Sequence, residues 1–275
     1  MTSRLHDEEN AIETPRSYEM RLALTGGATG IGAATAARLR SQGHEVVIFD
    51  IQQPDGDDRW IKLDLMDKGS IETALQAADG SFDGLCSVAG IPPRGDNAVP
   101  CLTVNTLATC AFIEGFIPKL NAGAAVVSVA SRAGMAWQSN IDLLEDLLAQ
   151  TPDSLAGWCD ENQVDATRAY ILSKQAVIYW HQRAVTSHIG NLRFVTISPS
   201  AVSTGILDDF VKAFGPMVAA NLARVGRSGT PEEVARVMAF CLSPDASWIN
   251  GVDVVTDGGM GAMAMMAERN GDKAG

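Results

Sequence analysis

The sequence predicts a three-layer α/β/α fold built on a doubly wound parallel sheet. Three observations predict it. Short runs are apolar at successive positions, as strands buried on both faces are. Longer segments of helical period separate these runs. A glycine-rich turn follows the first run, where sheets of this kind bind ligands.

In chain order, "MRLALTGG" (20–27) reads as a buried strand, "IGAATAARLRSQG" (31–43) as a helix closed by Gly43, and "HEVVIFD" (44–50) as a second strand, which together make one βαβ unit. Further strands are expected at "RWIKLDL" (59–65), "FDGLCSVAG" (82–90), "GAAVVSVAS" (123–131), "NLRFVTISP" (191–199) and "GVDVVTDGG" (251–259). Helical patterns near 68–79, 100–121, 167–188, 205–223 and 230–243 lie between or beside them. No repeat, low-complexity tract or linker divides the chain, so residues 21–275 are read as one domain. Residues 1–20 are polar and acidic where a signal peptide would be basic then apolar, and are expected to form a flexible extension.

Composition narrows the function. A net charge of −12 without clustered Lys and Arg argues against nucleic acid as a partner. The five cysteines are scattered, odd in number and without C-x-x-C spacing, so neither a disulfide framework nor a metal site is expected, and the cytoplasm is the expected compartment. With no uninterrupted apolar stretch of about 18 residues, no membrane partner is expected either. His44, His181 and His188 have no ligand spacing and read as solvated or helix-terminal.

The turn "TGGATGIG" (25–32) places Gly26, Gly30 and Gly32 between strand and helix. Glycines there let the backbone approach a pyrophosphate, whose charge meets the amides and positive end of the next helix. Asp50 ends the second strand about twenty residues on, the position of an acid that accepts ribose hydroxyls. This context makes the fold Rossmann-type and the cofactor NAD, because a carboxylate there repels the 2′-phosphate of NADP. The spacing G-x-x-x-G-x-G departs from the general G-x-G-x-x-G fingerprint, and a ligand-free turn is the alternative.

From about residue 20 to 260 the chain resembles the short-chain dehydrogenase/reductases. The resemblance rests on "TGGATGIG", "LDL" (63–65), "VAG" (88–90), Asn105 in "VNT", "SVASRAG" (128–134), Tyr170 and Lys174 in "AYILSK", "SPSAVST" (198–204) and "DGG" (257–259). Within the family, "GATGIGAAT", "DGLCSVAG" and "WINGVDVVTDGG" are similar to the strings of bacterial 3α-hydroxysteroid dehydrogenase/carbonyl reductases and coniferyl alcohol dehydrogenases.

Tyr170 and Lys174 share a helix face at i and i+4. A pair of this kind is otherwise surface decoration; the resemblance makes Tyr170 the general acid/base and Lys174 the group that lowers its pKa and binds the nicotinamide ribose. An ammonium about 4 Å away at an effective dielectric near 20 offers roughly 4 kcal/mol, up to about three pKa units before desolvation subtracts from it. Ser131 matches the serine that polarises the substrate oxygen, with Ser128 as competitor inside the strand. Asn105 matches the family's fourth catalytic residue, which stabilises a backbone kink and a water linking the lysine to solvent; satisfying buried backbone is its plainer role. Asp64 and Leu65 match the adenine contacts, and Thr29 stands where NADP-using members often carry a basic residue. Ile31, Ile51, Ala89, Gly90 and Pro199 complete the implied cofactor contacts, with Val202 and Thr204 at the amide-binding positions and Ser203 a less favoured substitute. The chain departs from the family at Val88, usually Asn, and at Ser200, usually Gly.

Residues 132–169 separate Ser131 from Tyr170, far more than the family's usual return, which places a helical insertion at about 136–166, between strand five and the catalytic helix. Its pattern sets Ile141, Leu144 and Leu148 on one face beside Leu143 and Leu147, and Thr151-Pro152 starts a second helix. Trp137 and Trp158 read as core anchors, with pocket lining second. The segment 204–224 occupies the place of the family's substrate lid, and Ile206, Leu207, Phe210, Phe214 and Met217 imply a hydrophobic ligand, although core packing explains them as well. The expected activity is NAD-dependent interconversion of a hydrophobic cyclic, steroidal or aromatic secondary alcohol and its ketone. Oxidation of a primary aryl or allyl alcohol, and catalytically silent dinucleotide sensing, are the rivals. A homodimer or homotetramer is implied by the resemblance, and the methionine-rich segment after Gly259 could pack against a second subunit.

Overall fold

The computed structural model describes residues 19–57 and 59–269. Most of the expected extension therefore lies outside the described residues, while Met20, at its end, is already buried in the core.

Seven strands, β1 (Arg21–Thr25), β2 (Glu45–Asp50), β3 (Trp60–Lys62), β4 (Phe82–Ser87), β5 (Leu120–Val129), β6 (Arg193–Pro199) and β7 (Val252–Thr256), form one parallel sheet. Their order is β3-β2-β1-β4-β5-β6-β7, so the winding reverses between β1 and β4 and opens a crevice at the carboxyl edge. Successive residues of each strand feed two cores. Leu22, Leu24, Val46 and Ile48 pack with α1 (Gly30–Ser41) and α10 (Pro231–Leu242), whereas Ala23, Val47 and Phe49 face α2 (Lys68–Ala77), α4 (Thr109–Phe116) and α7 (Ala166–His188). The second core holds an aromatic cluster, with Phe49 against Phe112 at 5.4 Å and Phe82 against Phe116 at 4.9 Å between ring centroids. Each fully buried side chain of this size is worth about 1.5–3 kcal/mol relative to exposure.

The helix expected near 100–121 is interrupted. A short α3 (Ala98–Leu102) runs into a π turn, Thr103–Ala108, before α4. Two contacts hold the wide turn: the Thr109 hydroxyl donates to the Val104 carbonyl at 2.8 Å, and the Asn105 side chain is pulled sideways onto Ile91. The 22 residues Ala98–Lys119 are long and apolar enough to cross a membrane, a feature the sequence reading passed over, but 67% of the apolar window is buried inside the protein, as in a core helix.

The insertion forms a 3₁₀ turn (Trp137–Asn140), α5 (Ile141–Leu148) and α6 (Leu155–Glu161). Its buried stripe is Leu144 and Leu147, with Leu143 and Leu148 partly covered and Ile141 exposed, because the packing partners lie on α3 and α7. The second helix starts at Leu155 and not at Thr151-Pro152: residues 151–154 close a turn, with the Thr151 amide donating to Ser154 Oγ at 3.0 Å. Trp158 is a core anchor whose Nε1 donates to Asp146 at 2.6 Å, and the half-buried Trp137 packs on Tyr179 at 5.8 Å. The lid pattern also divides, into α8 (Leu207–Phe214) and α9 (Pro216–Val225), since Gly215 takes φ 57° and Pro216 suits the first position of a new helix. The chain is described up to α11 (Met260–Arg269).

Candidate active site

The first turn is built on glycine by necessity. A Cβ at Gly26 would lie 2.6 Å from Ala89 Cα, and one at Gly32 1.9 Å from the Gly26 carbonyl oxygen. Gly26 and Gly30 both hold positive φ, 73° and 55°. Thr29 is the N-cap of α1 in extended conformation, and Ile31 follows on the cavity wall. Asp50 ends β2 with its carboxylate accepting from the Ala28 amide at 2.9 Å and the Gln52 amide at 3.0 Å. Ile51 lies beside it, exposed, while Asp64 and Leu65 follow β3 on the same wall. At Val88 and Ala89 the Thr25 hydroxyl accepts from both amides, at 3.1 and 3.3 Å, and braces the turn after β4.

Ser131 stands just past β5 and accepts from the Ala133 amide at 3.2 Å. Ser128 is inside the strand, between Ser87 and Thr196, with a buried hydroxyl lacking a protein partner, so of these two serines Ser131 is the one on the cavity wall. The Asp165 side chain caps α7 by accepting from the Arg168 amide at 2.7 Å, and the next turns present Tyr170 and Lys174 inward. Lys174 Nζ donates to the Val129 carbonyl at 3.1 Å and lies 5.6 Å from the centroid of the Tyr170 ring.

Burial decides the electrostatics here. It pushes the Tyr170 phenol above the ordinary tyrosine range, against the opposing effect of a hydrogen bond with Ser131. The depression expected from Lys174 is not what the protein alone provides, because burial also pulls Lys174 down to about 8 and weakens it as a cation. Cys101, buried on α3, is pushed up to about 11 by the same desolvation. Asn105 is off the cavity wall. Sitting in the π turn, its side chain accepts from the Ile91 amide at 2.8 Å and donates to the Ile91 carbonyl at 2.9 Å, which fixes the loop after Gly90.

Both groups of residues line one cavity of about 980 Å³. Pro199, Val202 and Thr204 form its wall after β6, together with Ser200, while Ser203 turns away and donates to the Gly229 carbonyl at 3.2 Å. Ile206, Phe210, Phe214 and Val218 reach in from α8, α9 and the residue before α8; the Met217 side chain lies outside the described residues. Phe210 and Phe214 set their edges against Tyr170, at 5.1 and 6.1 Å between centroids. Arg132 and Met260, also on the wall, escaped sequence reasoning; the position of Arg132 next to Ser131 was the available signal. His181 is neither solvated nor terminal: it is buried in the body of α7, which lowers its pKa to about 4. All five cysteines are unpaired and buried.

The sheet order and the glycine turn at its switch point define a Rossmann-type α/β protein. The short chain dehydrogenase family matches residues 21–141, and the family described as enoyl-(acyl carrier protein) reductase matches residues 155–261. The coniferyl-alcohol dehydrogenase of a Pseudomonas species is 31% identical over 87% of this chain and 96% of its own. The 3-alpha-hydroxysteroid dehydrogenase/carbonyl reductase of Comamonas testosteroni is 30% identical over 88% and 96%. The crystal structure of the 3-alpha-hydroxysteroid dehydrogenase of Pseudomonas sp. B-0831, complexed with NADH, superposes with a TM-score of 0.76 at 32% identity, covering 90% of this chain and 98% of that one. The chain belongs to the short-chain dehydrogenase family and is an oxidoreductase.

Proposed function

We propose that the chain is an NAD(H)-dependent alcohol dehydrogenase or ketone reductase for hydrophobic cyclic, steroidal or aromatic secondary alcohols and their ketones. The convergence of Ser131, Tyr170 and Lys174 on the cavity that also holds the glycine turn carries this reading. The residues fit a nicotinamide dinucleotide: the first turn is so close-packed that a Cβ at Gly26 or Gly32 would strike backbone, and the Asp50 carboxylate faces the same cavity. A nicotinamide dinucleotide held by these residues would supply hydride chemistry at the substrate carbon.

The protein's own share is orientation and proton transfer. Ser131 holds the substrate oxygen by hydrogen bond. In reduction Tyr170, kept protonated by its burial, gives its phenolic proton to the carbonyl oxygen, and Ser131 and Lys174 stabilise the phenolate left behind. In oxidation the phenolate takes the proton from the alcohol, so that direction is favoured by alkaline pH. Phe210 and Phe214 support an apolar substrate, since their rings stand edge-on to Tyr170 on the wall that the substrate must pass to reach it. The coniferyl-alcohol dehydrogenase relative favours a second reading, oxidation of a primary aryl alcohol. Self-assembly into a dimer or tetramer and residence in the cytoplasm belong to the same proposal; light scattering tests the former and fractionation the latter.

The direct test is turnover with NADH and NADPH on cyclic, steroidal and benzylic carbonyls and the matching alcohols, for wild type beside Tyr170→Phe. Loss of about 10²–10⁴ in kcat, with NADH binding retained, is expected. Equal turnover in both proteins removes Tyr170 from the chemistry, and a wild type that binds NADH but turns over nothing favours a sensor.

A further inference from the structure

Three segments remote in sequence meet beside Ser131. Arg132, the next residue, sends its guanidinium Nη1 to Asp257 Oδ2 at 2.5 Å, across 125 positions of sequence. Both side chains are mostly buried, 24% and 11% exposed, so the pair is screened less than a surface ion pair. Asp257 follows β7 and also accepts from the Gly259 and Gly261 amides, at 2.9 and 2.8 Å, which ties down the first turn of α11. The space for the guanidinium is specific: a Cβ at Gly261 would lie 2.0 Å from Arg132 Nη1. The lid joins at the same point, since a Cβ on Gly258 would lie 2.9 Å from Val225 at the end of α9. Met260, buried between these groups, forms part of the cavity wall with Arg132.

We propose that Arg132 is a positioning residue: its ion pair with Asp257 fastens the turn carrying Ser131 to the start of the C-terminal helix, and so keeps the Ser131 hydroxyl directed at Tyr170. The inference rests on the catalytic reading above. Nothing about the chemistry requires an arginine after the serine, but the geometry does require something to hold a three-residue 3₁₀ turn in place at the open edge of the sheet. Arginine does so with a charge-assisted hydrogen bond to a carboxylate that backbone amides already fix.

The test compares Arg132→Ala, Arg132→Lys, Ser131→Ala and Tyr170→Phe with wild type in three measurements. NADH affinity by fluorescence is expected to stay within about twofold in Arg132→Ala. Its kcat is expected to fall about 10- to 100-fold, as a small misplacement of a catalytic group does. The alkaline rise of kcat/KM for alcohol oxidation is expected to move to higher pH, as in Ser131→Ala, because the hydrogen bond that lowers the Tyr170 pKa is loosened. Lysine, which keeps the charge, is expected to recover part of both effects. Hydrogen exchange provides the third readout, independent of turnover: amides 131–135 and 259–263 are expected to exchange faster in Arg132→Ala than in wild type. If Arg132→Ala keeps the wild-type kcat and pH profile while Ser131→Ala and Tyr170→Phe lose most of theirs, the positioning role is overturned and the catalytic reading stands. If Tyr170→Phe turns over normally, the catalytic reading fails instead, and unchanged exchange in Arg132→Ala then overturns the tether itself.

Discussion

Neutralising Asp50 tests the choice of cofactor. The carboxylate is held at the end of β2 by two backbone amides, from Ala28 at 2.9 Å and Gln52 at 3.0 Å, so its charge cannot swing away from an arriving ribose. Two like unit charges about 4 Å apart repel by roughly 4 kcal/mol at an effective dielectric of 20, and by about 1 kcal/mol in bulk water. Asp50 is half-buried and falls between these limits, at about 2 kcal/mol or roughly 30-fold in binding for each unit of phosphate charge. Asp50→Asn keeps the shape and removes the charge, and the 2′-phosphate carries more than one negative charge at neutral pH, so the NADPH/NADH ratio of kcat/KM is expected to rise by at least about 30-fold, mainly through a lower KM for NADPH. Some loss with NADH accompanies it, because the asparagine side chain has a single acceptor oxygen and one amide is left unpaired, at about 1–3 kcal/mol shared between binding and stability. The assay is kcat/KM for both cofactors at low and high salt, and the wild-type preference is expected to shrink as salt screens the repulsion. A wild type that uses NADPH as well as NADH, or an unmoved ratio in the variant, refutes the reasoning.

Burial of Lys174 predicts how stability responds to base. A lysine at about 8 in the native state and about 10.4 unfolded leaves the unfolded chain holding more protons between those values, so its contribution to stability rises with pH by up to about 3 kcal/mol across that window. Urea unfolding at pH 7.5 and 10 is expected to show this rise in wild type relative to Lys174→Met; equal differences at both pH values contradict it. His181 acts at the acid end: neutral in the native core down to about 4, it costs stability as pH falls from about 6.5 and the unfolded chain takes up a proton. Wild type is expected to lose more stability than His181→Phe between pH 7 and 5. Leu147→Ala empties a fully buried site in the cluster that also packs Tyr170 and is expected to cost about 2–5 kcal/mol in urea unfolding. A cost below about 1 kcal/mol is the range of exposed positions and makes the insertion a surface appendage.

All seven strands were legible because each carries a short apolar run set off by turn residues, and in β1 and β6 nearly every position is buried whether apolar or hydroxylated, as "LALT" and "FVTIS" illustrate. One helix end was legible from local chemistry, for Gly43 follows α1, whereas the side-chain caps Asp67 on α2 and Asp165 on α7 emerged only in the structure. What escaped depends on distant partners. The π turn at 103–108 goes with the hold of Asn105 on Ile91, a loop residue in another part of the sequence. The upward shift of Tyr170 depends on its burial, which Phe210 and Phe214 complete from the lid, and the pairing of Arg132 with Asp257 on the return of the last strand. The i, i+4 spacing of Tyr170 and Lys174 gave their shared face but not the direction in which burial moves their protons. The insertion's helices were visible, yet their buried stripe was misassigned at Ile141, because the neighbouring α3 and α7 select the face.

The π turn also restricts how this stretch of gene can change. One residue too many in a helix rotates everything downstream by about 100° relative to a regular continuation. In this chain that rotation lets a nearly continuous helix serve two environments: Cys101 and Leu102 before the turn pack with Tyr170 and the insertion, and Phe112 and Phe116 after it fill the sheet core. Exchanging one side chain for another here is an ordinary perturbation. Deleting a single codon would restore a perfect α-helix and point one set of residues at the wrong partner, so this segment can drift in composition but is locked in length.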